Sequence, residues 1–87
     1  MKISIVVPAY NEEDTIQRSI QGVLNADFGC SEREVIVVDD RSTDSTPSIL
    51  ADFGDQIVVV THEANQGKGA AIRTALEVAT GDVVAIH

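Results

Sequence analysis

The 87-residue sequence predicts one α/β domain: a mostly parallel four-stranded sheet with helices on both of its faces. Three observations predict this fold. Four short runs rich in Val and Ile are typical of β-strands. Segments with the apolar spacing of helices separate these runs, which gives the order β-α-β-α-β-α-β. The strands are apolar at successive positions, as expected when both faces of a parallel sheet are covered.

The first strand is predicted over residues 3–7 and should end at Pro8. Asn11 is a good N-cap for the first helix, and the acidic residues 12–14 suit the positive end of its dipole. The helix should bury one apolar face at the spacing i, i+4, i+7, i+8. That face consists of Ile16, Ile20, Val23 and Leu24.

The second strand is predicted over residues 35–38, and a capping cluster follows it. The possible caps of the second helix are Ser42, Thr43 and Asp44. Pro47 fits the first helical turn, and the helix should end near Gly54. Its inward residues are predicted to be Ile49, Leu50 and Phe53.

The third strand is predicted over residues 56–61, the third helix over about 68–80, and the fourth strand over 82–87. Gly81 is the expected left-handed residue after the third helix. The buried stripe of that helix is predicted to be Ile72, Ala75, Leu76 and Ala79.

Charge and composition exclude some classes of protein. The net charge of −8 and only six Lys and Arg residues argue against nonspecific nucleic-acid binding. The sequence contains no apolar run long enough for a transmembrane segment and no signal peptide. The single Cys30 predicts a free thiol in a reducing compartment. These features predict a cytoplasmic chain.

Three polar segments follow the first three strands and should meet at one edge of the sheet. They are "PAYNEE" (8–13), "DDRSTD" (39–44) and "HEANQGKG" (62–69). In open α/β sheets, ligands bind beyond the carboxyl ends of the strands. Because neighbouring strand side chains alternate, Asp39 and Asp40 should do different work. One can accept a hydrogen bond from a ligand N–H or O–H, and the other can cap the second helix or hold its loop.

Three further residues are candidates at this edge, each with a structural alternative. Tyr10 can stack on a nucleobase or pack under its loop, and Glu12 can bind a ribose hydroxyl or compensate the helix dipole. Lys68 can meet a diphosphate at a helix N-terminus or be a solvated side chain. The segment "NQGKGAA" is neither a Walker A loop nor a dinucleotide fingerprint. No metal-ligand spacing is present, and His62 and His87 suggest no role.

Three segments together resemble the start of a family 2 glycosyltransferase with the GT-A fold, a Rossmann-like nucleotide-diphospho-sugar transferase fold. They are "SIVVPAYNEE", "VIVVDDRSTDST" and "NQGKGAAIRTALEVATGDVVAIH". The sequence is most similar to polyprenol-phosphate (dolichol-phosphate) mannosyltransferase-like or glucosyltransferase-like members. The resemblance implies sugar transfer from a GDP- or UDP-sugar to an acceptor such as a polyprenyl phosphate or a saccharide.

The resemblance also assigns residues. It implies that the nucleoside is bound by Pro8, Ala9, Tyr10, Glu12, Val38, Asp39 and Asp40. It makes Lys68 a neighbour of the diphosphate. It implies no catalytic residue in this chain.

In the family, a D-x-D motif that binds a divalent metal, Mg or Mn, follows the fourth strand. This sequence stops at His87, where that motif would begin. We therefore expect an N-terminal nucleotide-binding part that binds no metal alone and is inactive alone. A lipid phosphate acceptor would place it at the cytoplasmic face of the membrane. Uncovered sheet surfaces would allow homo-oligomers.

Two other interpretations stay open. The chain could be a noncatalytic nucleotide-binding or interaction module. It could also be a receiver-like signalling domain, because "VIVVDD" resembles the acidic strand end of response regulators. In receivers, however, the acidic pair ends the first strand, whereas here it ends the second.

Overall fold

A computed structural model describes residues 1–27, 29 and 32–87; the predicted thiol of Cys30 lies outside them. The strands are β1 (Lys2–Ala9), β2 (Glu32–Asp39), β3 (Val58–Thr61) and β4 (Val83–Ile86). The helices are α1 (Ile16–Asn25), α2 (Thr46–Ala51) and α3 (Lys68–Val78), and a 3₁₀ turn covers Gly54–Gln56. All pairs of neighbouring strands are parallel, in the order β3-β2-β1-β4. This confirms the predicted fold class.

The sheet separates two apolar clusters. Odd-numbered residues of β1, such as Ile5, pack with α1 and α2, whereas Val6 packs with α3 on the opposite face. The α1 and α2 side contains Ile16, Ile20, Val23, Val35, Val37 and Leu50. The α3 side contains Ile36, Val38, Ala71 and Ala75. Helices therefore cover both faces of β1 and β2, which explains why these strands are apolar throughout.

The strand order places a reversal beside β1. From β1 the chain moves to β2 and then to β3, and it returns through α3 to β4 on the other side of β1. The order 3-2-1-4 is that of dinucleotide-binding sheets, whereas receivers have the order 2-1-3. This topology disfavours the receiver interpretation and marks the carboxyl end of β1 as a place for a ligand.

The start of α1 differs from the prediction. The N-cap is Thr15, and it has no side-chain capping bond. The predicted cap, Asn11, has a positive φ of 48° and its Oδ1 accepts from the Thr43 N–H at 2.7 Å. The N–H groups of Thr15 and Ile16 both donate to the carbonyl of Glu12. Residues 12–14 therefore lie in a preceding turn, outside the first helical turn.

The capping cluster before α2 also has other partners than predicted. Ser45 is the N-cap and makes no side-chain capping bond, while Asp44 Oδ1 accepts from the Thr46 N–H at 2.8 Å. Ser42 bonds to Asp39 instead of to the helix. Pro47 does lie in the first turn, as predicted. The helix ends at Ala51. Gln56, which was predicted to begin the third strand, is the last residue of the 3₁₀ turn.

Two predictions for the third helix were wrong in part. Leu76 is 48 % exposed, and the buried residues of α3 are Ala70, Ala71 and Ala75. These small side chains allow α3 to lie close to β1 and β2. Gly81 was predicted to be left-handed, but its φ angle is not positive. Its position is close to β1, where a Cβ would lie 2.6 Å from Ser4 Oγ.

A polar network joins the strands at their amino ends. Glu34 Oε2 accepts from Ser4 Oγ at 2.5 Å and from the Thr80 N–H at 2.6 Å, and Lys2 Nζ lies 3.8 Å from Oε1. Burial opposes the charge of Glu34, but the bonds from Ser4 and Thr80 and the charge of Lys2 hold the pKa of its carboxyl below the ordinary value of 4.5. The network ties β2 to β1 and to the connection before β4.

The first strand was predicted to end at Pro8, and this was wrong. Pro8 lies within β1, opposite Val38. It lies beyond the residues of β1 that pair with β4, Ile3–Val6, so its missing N–H breaks no described ladder bond there. The two outer strands, β3 and β4, are largely exposed. Their exposed apolar residues are Val58, Val59, Val83, Val84 and Ile86.

Candidate functional site

An open cleft of about 520 Å³ lies at the carboxyl ends of the strands. It is lined by Pro8, Ala9, Tyr10, Glu12, Asp40, Asn65, Gly67, Lys68, Ala71 and His87. These residues come from the last positions of β1, from the segments that follow the four strands and from the start of α3. The cleft therefore lies beside the reversal in strand order, where open α/β sheets bind ligands.

The structure brings six of the predicted binding residues together in this lining, namely Pro8, Ala9, Tyr10, Glu12, Asp40 and Lys68. Val38 and Asp39 are not part of it. The Val38 side chain is fully buried against α3. Four lining residues, Asn65, Gly67, Ala71 and His87, were not predicted. The sequence predicted that the segment "HEANQGKG" (62–69) lies at this edge of the sheet. Only the folded loop shows which residues of the segment face the cleft.

Asp39 holds the loop that leads to α2. Its Oδ1 accepts from the N–H of Ser42 at 3.1 Å and from Ser42 Oγ at 2.5 Å. Its Oδ2 is buried and has no hydrogen-bond partner in the part of the chain that the structure describes. Buried acceptors nearly always have a partner, so this oxygen requires an explanation.

Asp40 holds a different loop, the one that leads to α3. Its carboxylate accepts from the N–H of Gln66 at 2.9 Å, from the N–H of Gly67 at 2.8 Å and from His62 Nδ1 at 2.8 Å. The pKa of Asp40 is held below its ordinary value of 3.8. The largest cause is the bond from the Gln66 N–H, and the His62 ring and the Gly67 N–H add to it, whereas burial acts in the opposite direction. The two neighbouring carboxylates thus point to separate loops.

His62 is a residue that the sequence analysis missed. Only 6 % of it is exposed, and its Nε2 lies 2.8 Å from Thr74 Oγ1 on α3. Its ring therefore bridges the end of β2 and α3. The sequence does show that His62 directly follows β3. It does not show that β3 lies next to β2, and therefore that His62 lies near Asp40, because this depends on the strand order.

The two loops on the other side of the cleft are interlocked. The N–H of Asn11 donates to Ser42 Oγ at 2.9 Å, and the N–H of Glu12 donates to Thr46 Oγ1 at 2.9 Å. The N–H of Ser45 donates in turn to Glu13 Oε2 at 3.1 Å. These bonds fix the segment after β1, from which Tyr10 projects with 45 % of its surface exposed.

Lys68 stands at the first position of α3. The preceding Gly67 has a φ of 92°, a backbone conformation that favours glycine. Among the described residues, no carboxylate lies within ion-pair distance of Lys68 Nζ. The Lys68 ammonium and the free N–H groups of the α3 terminus are therefore positive groups on the cleft wall.

The described residues do not form a metal centre. No three His, Cys, Asp or Glu side chains among them come together closely enough to hold an ion. The carboxylate of Asp40, on the cleft wall, is already bonded to three N–H donors. These residues on their own therefore do not fit a divalent cation.

Residues 4–87 match the family described as "Glycosyl transferase family 2". The chain belongs to this family. A poly(ribitol-phosphate) β-glucosyltransferase of Bacillus spizizenii is 38 % identical over an alignment of 88 positions, which covers 97 % of this chain and 14 % of the relative. This family 2 chain therefore spans about a seventh of that relative.

Two solved structures show the same fold with nucleotide sugars. S. aureus TarS 1-349 in complex with UDP-GlcNAc has a TM-score of 0.88 and 37 % identity, over 99 % of this chain and 26 % of that one. The mannosyltransferase PcManGT of Pyrobaculum calidifontis, in complex with GDP-Man and Mn²⁺, has a TM-score of 0.84 and 34 % identity, over 94 % of this chain and 25 % of that one. The family 2 chain has no helix among its described residues that is long and apolar enough to cross a bilayer.

Proposed function

We propose that this family 2 chain binds the donor, a UDP- or GDP-sugar, for a glycosyltransferase reaction. The observation that supports this most strongly is the cleft at the carboxyl ends of the strands, because it combines an exposed aromatic ring, acidic groups and a positive helix N-terminus. These are the three kinds of group that a base, a ribose and a diphosphate require. The solved relatives bound to UDP-GlcNAc and GDP-Man support the same ligand class.

In this proposal each part of the donor has its own contacts. Tyr10 stacks on the base, beside Pro8 and Ala9. Glu12 accepts a hydrogen bond from a ribose hydroxyl. Val38 remains a core residue below the site. Asp39, buried beside the cleft residue Ala9, offers its unpaired Oδ2 to an N–H of the base once the loop after β2 shifts on binding. Lys68 and the α3 N-terminus bind the diphosphate.

The reaction breaks the bond between the sugar and the diphosphate of the donor and joins the sugar to an acceptor oxygen, and the nucleoside diphosphate is the leaving group. Lys68 and the N–H groups of α3 stabilise the charge that this group acquires, because they are fixed before the reaction. The PcManGT structure holds Mn²⁺, which supports a divalent metal in the family. The described residues form no cluster of three metal-ligating side chains, so the groups that they offer to the diphosphate are Lys68 and the N–H groups of α3.

We propose a polyprenyl phosphate or a saccharide as the acceptor, in the manner of a polyprenol-phosphate mannosyltransferase or glucosyltransferase. A lipid phosphate acceptor would place the reaction at the cytoplasmic face of the membrane. The name of the Bacillus spizizenii relative gives a poly(ribitol phosphate) as its substrate. A panel of these acceptors, supplied to an active protein that contains this chain, would choose among them.

We also propose that copies of the chain associate through the outer strands. This proposal depends on the exposed valines of β3 at one edge of the sheet and of β4 at the other edge. Sedimentation of the chain should show a mass that rises with concentration. A monomer at every concentration would contradict self-association.

The experiment for the donor is a titration of the chain with UDP and with GDP, each with and without Mn²⁺. Binding of either nucleotide, with perturbed NMR signals at Tyr10, Asn65 and Lys68, is the expected result. ATP serves as the control for unspecific binding of polyphosphates. Equal binding of all three, or binding of none, would contradict the proposal.

A further inference from the structure

Behind the cleft, a buried chain of hydrogen bonds runs from α3 to the loop that precedes it. Thr74 Oγ1 lies 2.8 Å from His62 Nε2, and His62 Nδ1 lies 2.8 Å from Asp40 Oδ1. The carboxylate of Asp40 then accepts from the N–H groups of Gln66 and Gly67. His62 does not line the cleft, whereas Asp40, Gly67 and Lys68 do.

The direction of these bonds follows from the chemistry of the groups. An ionised carboxylate has only acceptors, so His62 Nδ1 must carry the proton that it shares with Asp40. In the neutral ring, Nε2 is then the acceptor, and the hydroxyl of Thr74 donates to it. The ring is therefore held in one tautomer by a partner on each side.

The loop over residues 63–66 is exposed and depends on Asp40 for its position. Besides the bonds to the N–H groups of Gln66 and Gly67, Asn65 Nδ2 lies 3.4 Å from the carbonyl of Asp40. All three contacts go to one residue. A rotation of the Asp40 carboxylate would therefore move Gly67, and with it the start of α3.

We propose that His62 is a positioning residue for donor binding. By holding the carboxylate of Asp40, it fixes Gly67 and Lys68 in the position that meets the diphosphate. The inference rests on the proposed function, because it concerns the diphosphate part of the same cleft. His62 touches no ligand itself and acts only through Asp40.

Two substitutions separate this role from simple packing. In His62→Asn, the side-chain amide nitrogen can occupy the place of Nδ1 and donate to Asp40. In His62→Gln, the amide can reach the place of Nε2 near Thr74 but supplies no donor at the place of Nδ1. Thr74→Val is the matched control, because it removes the other partner of the ring and leaves the bond to Asp40.

Binding of UDP and of uridine to the 87-residue chain is measured by NMR titration for each folded variant. His62→Gln should weaken UDP about tenfold, the size of one lost bond to a charged group, and leave uridine unchanged. His62→Asn and Thr74→Val should retain most of the UDP affinity. Equal losses in His62→Asn and His62→Gln, or an equal loss for uridine, would overturn the inference in favour of a packing role.

A second measurement needs no ligand. Amide hydrogen exchange at Gln66 and Gly67 should become faster in His62→Gln than in His62→Asn, because only the first loses the donor to Asp40. Unchanged exchange in His62→Gln would overturn the positioning role directly. A wild-type chain that binds neither UDP nor GDP would instead contradict the proposed function, so the two failures are distinguishable.

Discussion

The N–H of Gly81 donates to Ser4 Oγ at 2.8 Å, and a Cβ on Gly81 would lie 2.6 Å from that oxygen and 2.7 Å from the Ser4 nitrogen. The segment before β4 therefore packs directly against the backbone of β1. Only glycine fits at this distance, whatever its φ angle. The contact joins the last strand to the central part of the sheet.

Gly81→Ala should destabilise the chain by about 1–3 kcal/mol, since the added methyl group must push β4 away from β1. Urea unfolding measures the effect. The matched control is Gly22→Ala on α1, where an added Cβ meets nothing within 4 Å. That change should stabilise the helix by about 0.5–1 kcal/mol. Equal effects of both changes would contradict the close contact.

The sequence predicted the features that depend on local patterns. The apolar runs of β1 and β2, the turn residue Pro47 and the position of "DDRSTD" after a buried strand all depend on residues close in the chain. The roles of Gly81 and His62 depend instead on contacts with Ser4 and Asp40, which are far away in sequence. Such pairs cannot be recognised until the order of the strands is known. For the same reason Asn11 and Ser42 were wrongly predicted as caps, because they bond across two loops instead of to their helices.

Asp39→Asn should weaken UDP and uridine to the same extent, by about tenfold, because the change removes the acceptor proposed for an N–H of the base. Asp39 precedes the cleft residue Asp40 and pairs with the cleft residue Ala9 across the sheet. Asp52→Asn is the control, since it removes the same charge from an exposed residue that does not line the cleft. Titration of both variants with UDP and uridine tests this. Unchanged affinity in Asp39→Asn would refute the role given to Oδ2.

Lys68→Gln should weaken UDP by about three- to tenfold and leave uridine unchanged, because only UDP has a diphosphate to attract the ammonium group. The loss should be largest at low ionic strength, since salt screens an exposed charge. Arg73→Gln on the same helix is the control, because Arg73 does not line the cleft. If both variants lose the same affinity, the effect is one of net charge and Lys68 has no specific role.

The stability of the chain should fall as the solution becomes acidic. The pKa values of Glu34, Asp40 and Asp44 are all lowered by folding, so these groups stabilise the fold when ionised. Their contribution is complete above their ordinary values of 4.5 for Glu and 3.8 for Asp, and it is lost as the pH falls through the lower values of the folded chain. Urea unfolding from about pH 6 to about pH 3 measures the slope.

The matched variant for this prediction is Glu34→Gln. It should be less stable at neutral pH, because a neutral amide binds Lys2 and Thr80 less strongly than a carboxylate does. It should also show a flatter dependence on pH, since one of the three groups with a lowered pKa is gone. A variant whose stability follows the wild-type slope would show that the network of Glu34 contributes nothing to acid sensitivity.

The isolated chain should bind UDP or GDP but should not transfer sugar. In the proposed donor site, Lys68 and the start of α3 contact the leaving diphosphate. Asp40 and His62, two obvious acid–base candidates, are bonded to each other and to their loops. No cluster of three metal-ligating side chains is present among the described residues to assist departure of the diphosphate. The test supplies UDP-glucose or GDP-mannose with Mn²⁺ and a polyprenyl phosphate, with an active full-length relative as the positive control. Transfer above the no-enzyme background would show that this part of the site is sufficient for catalysis.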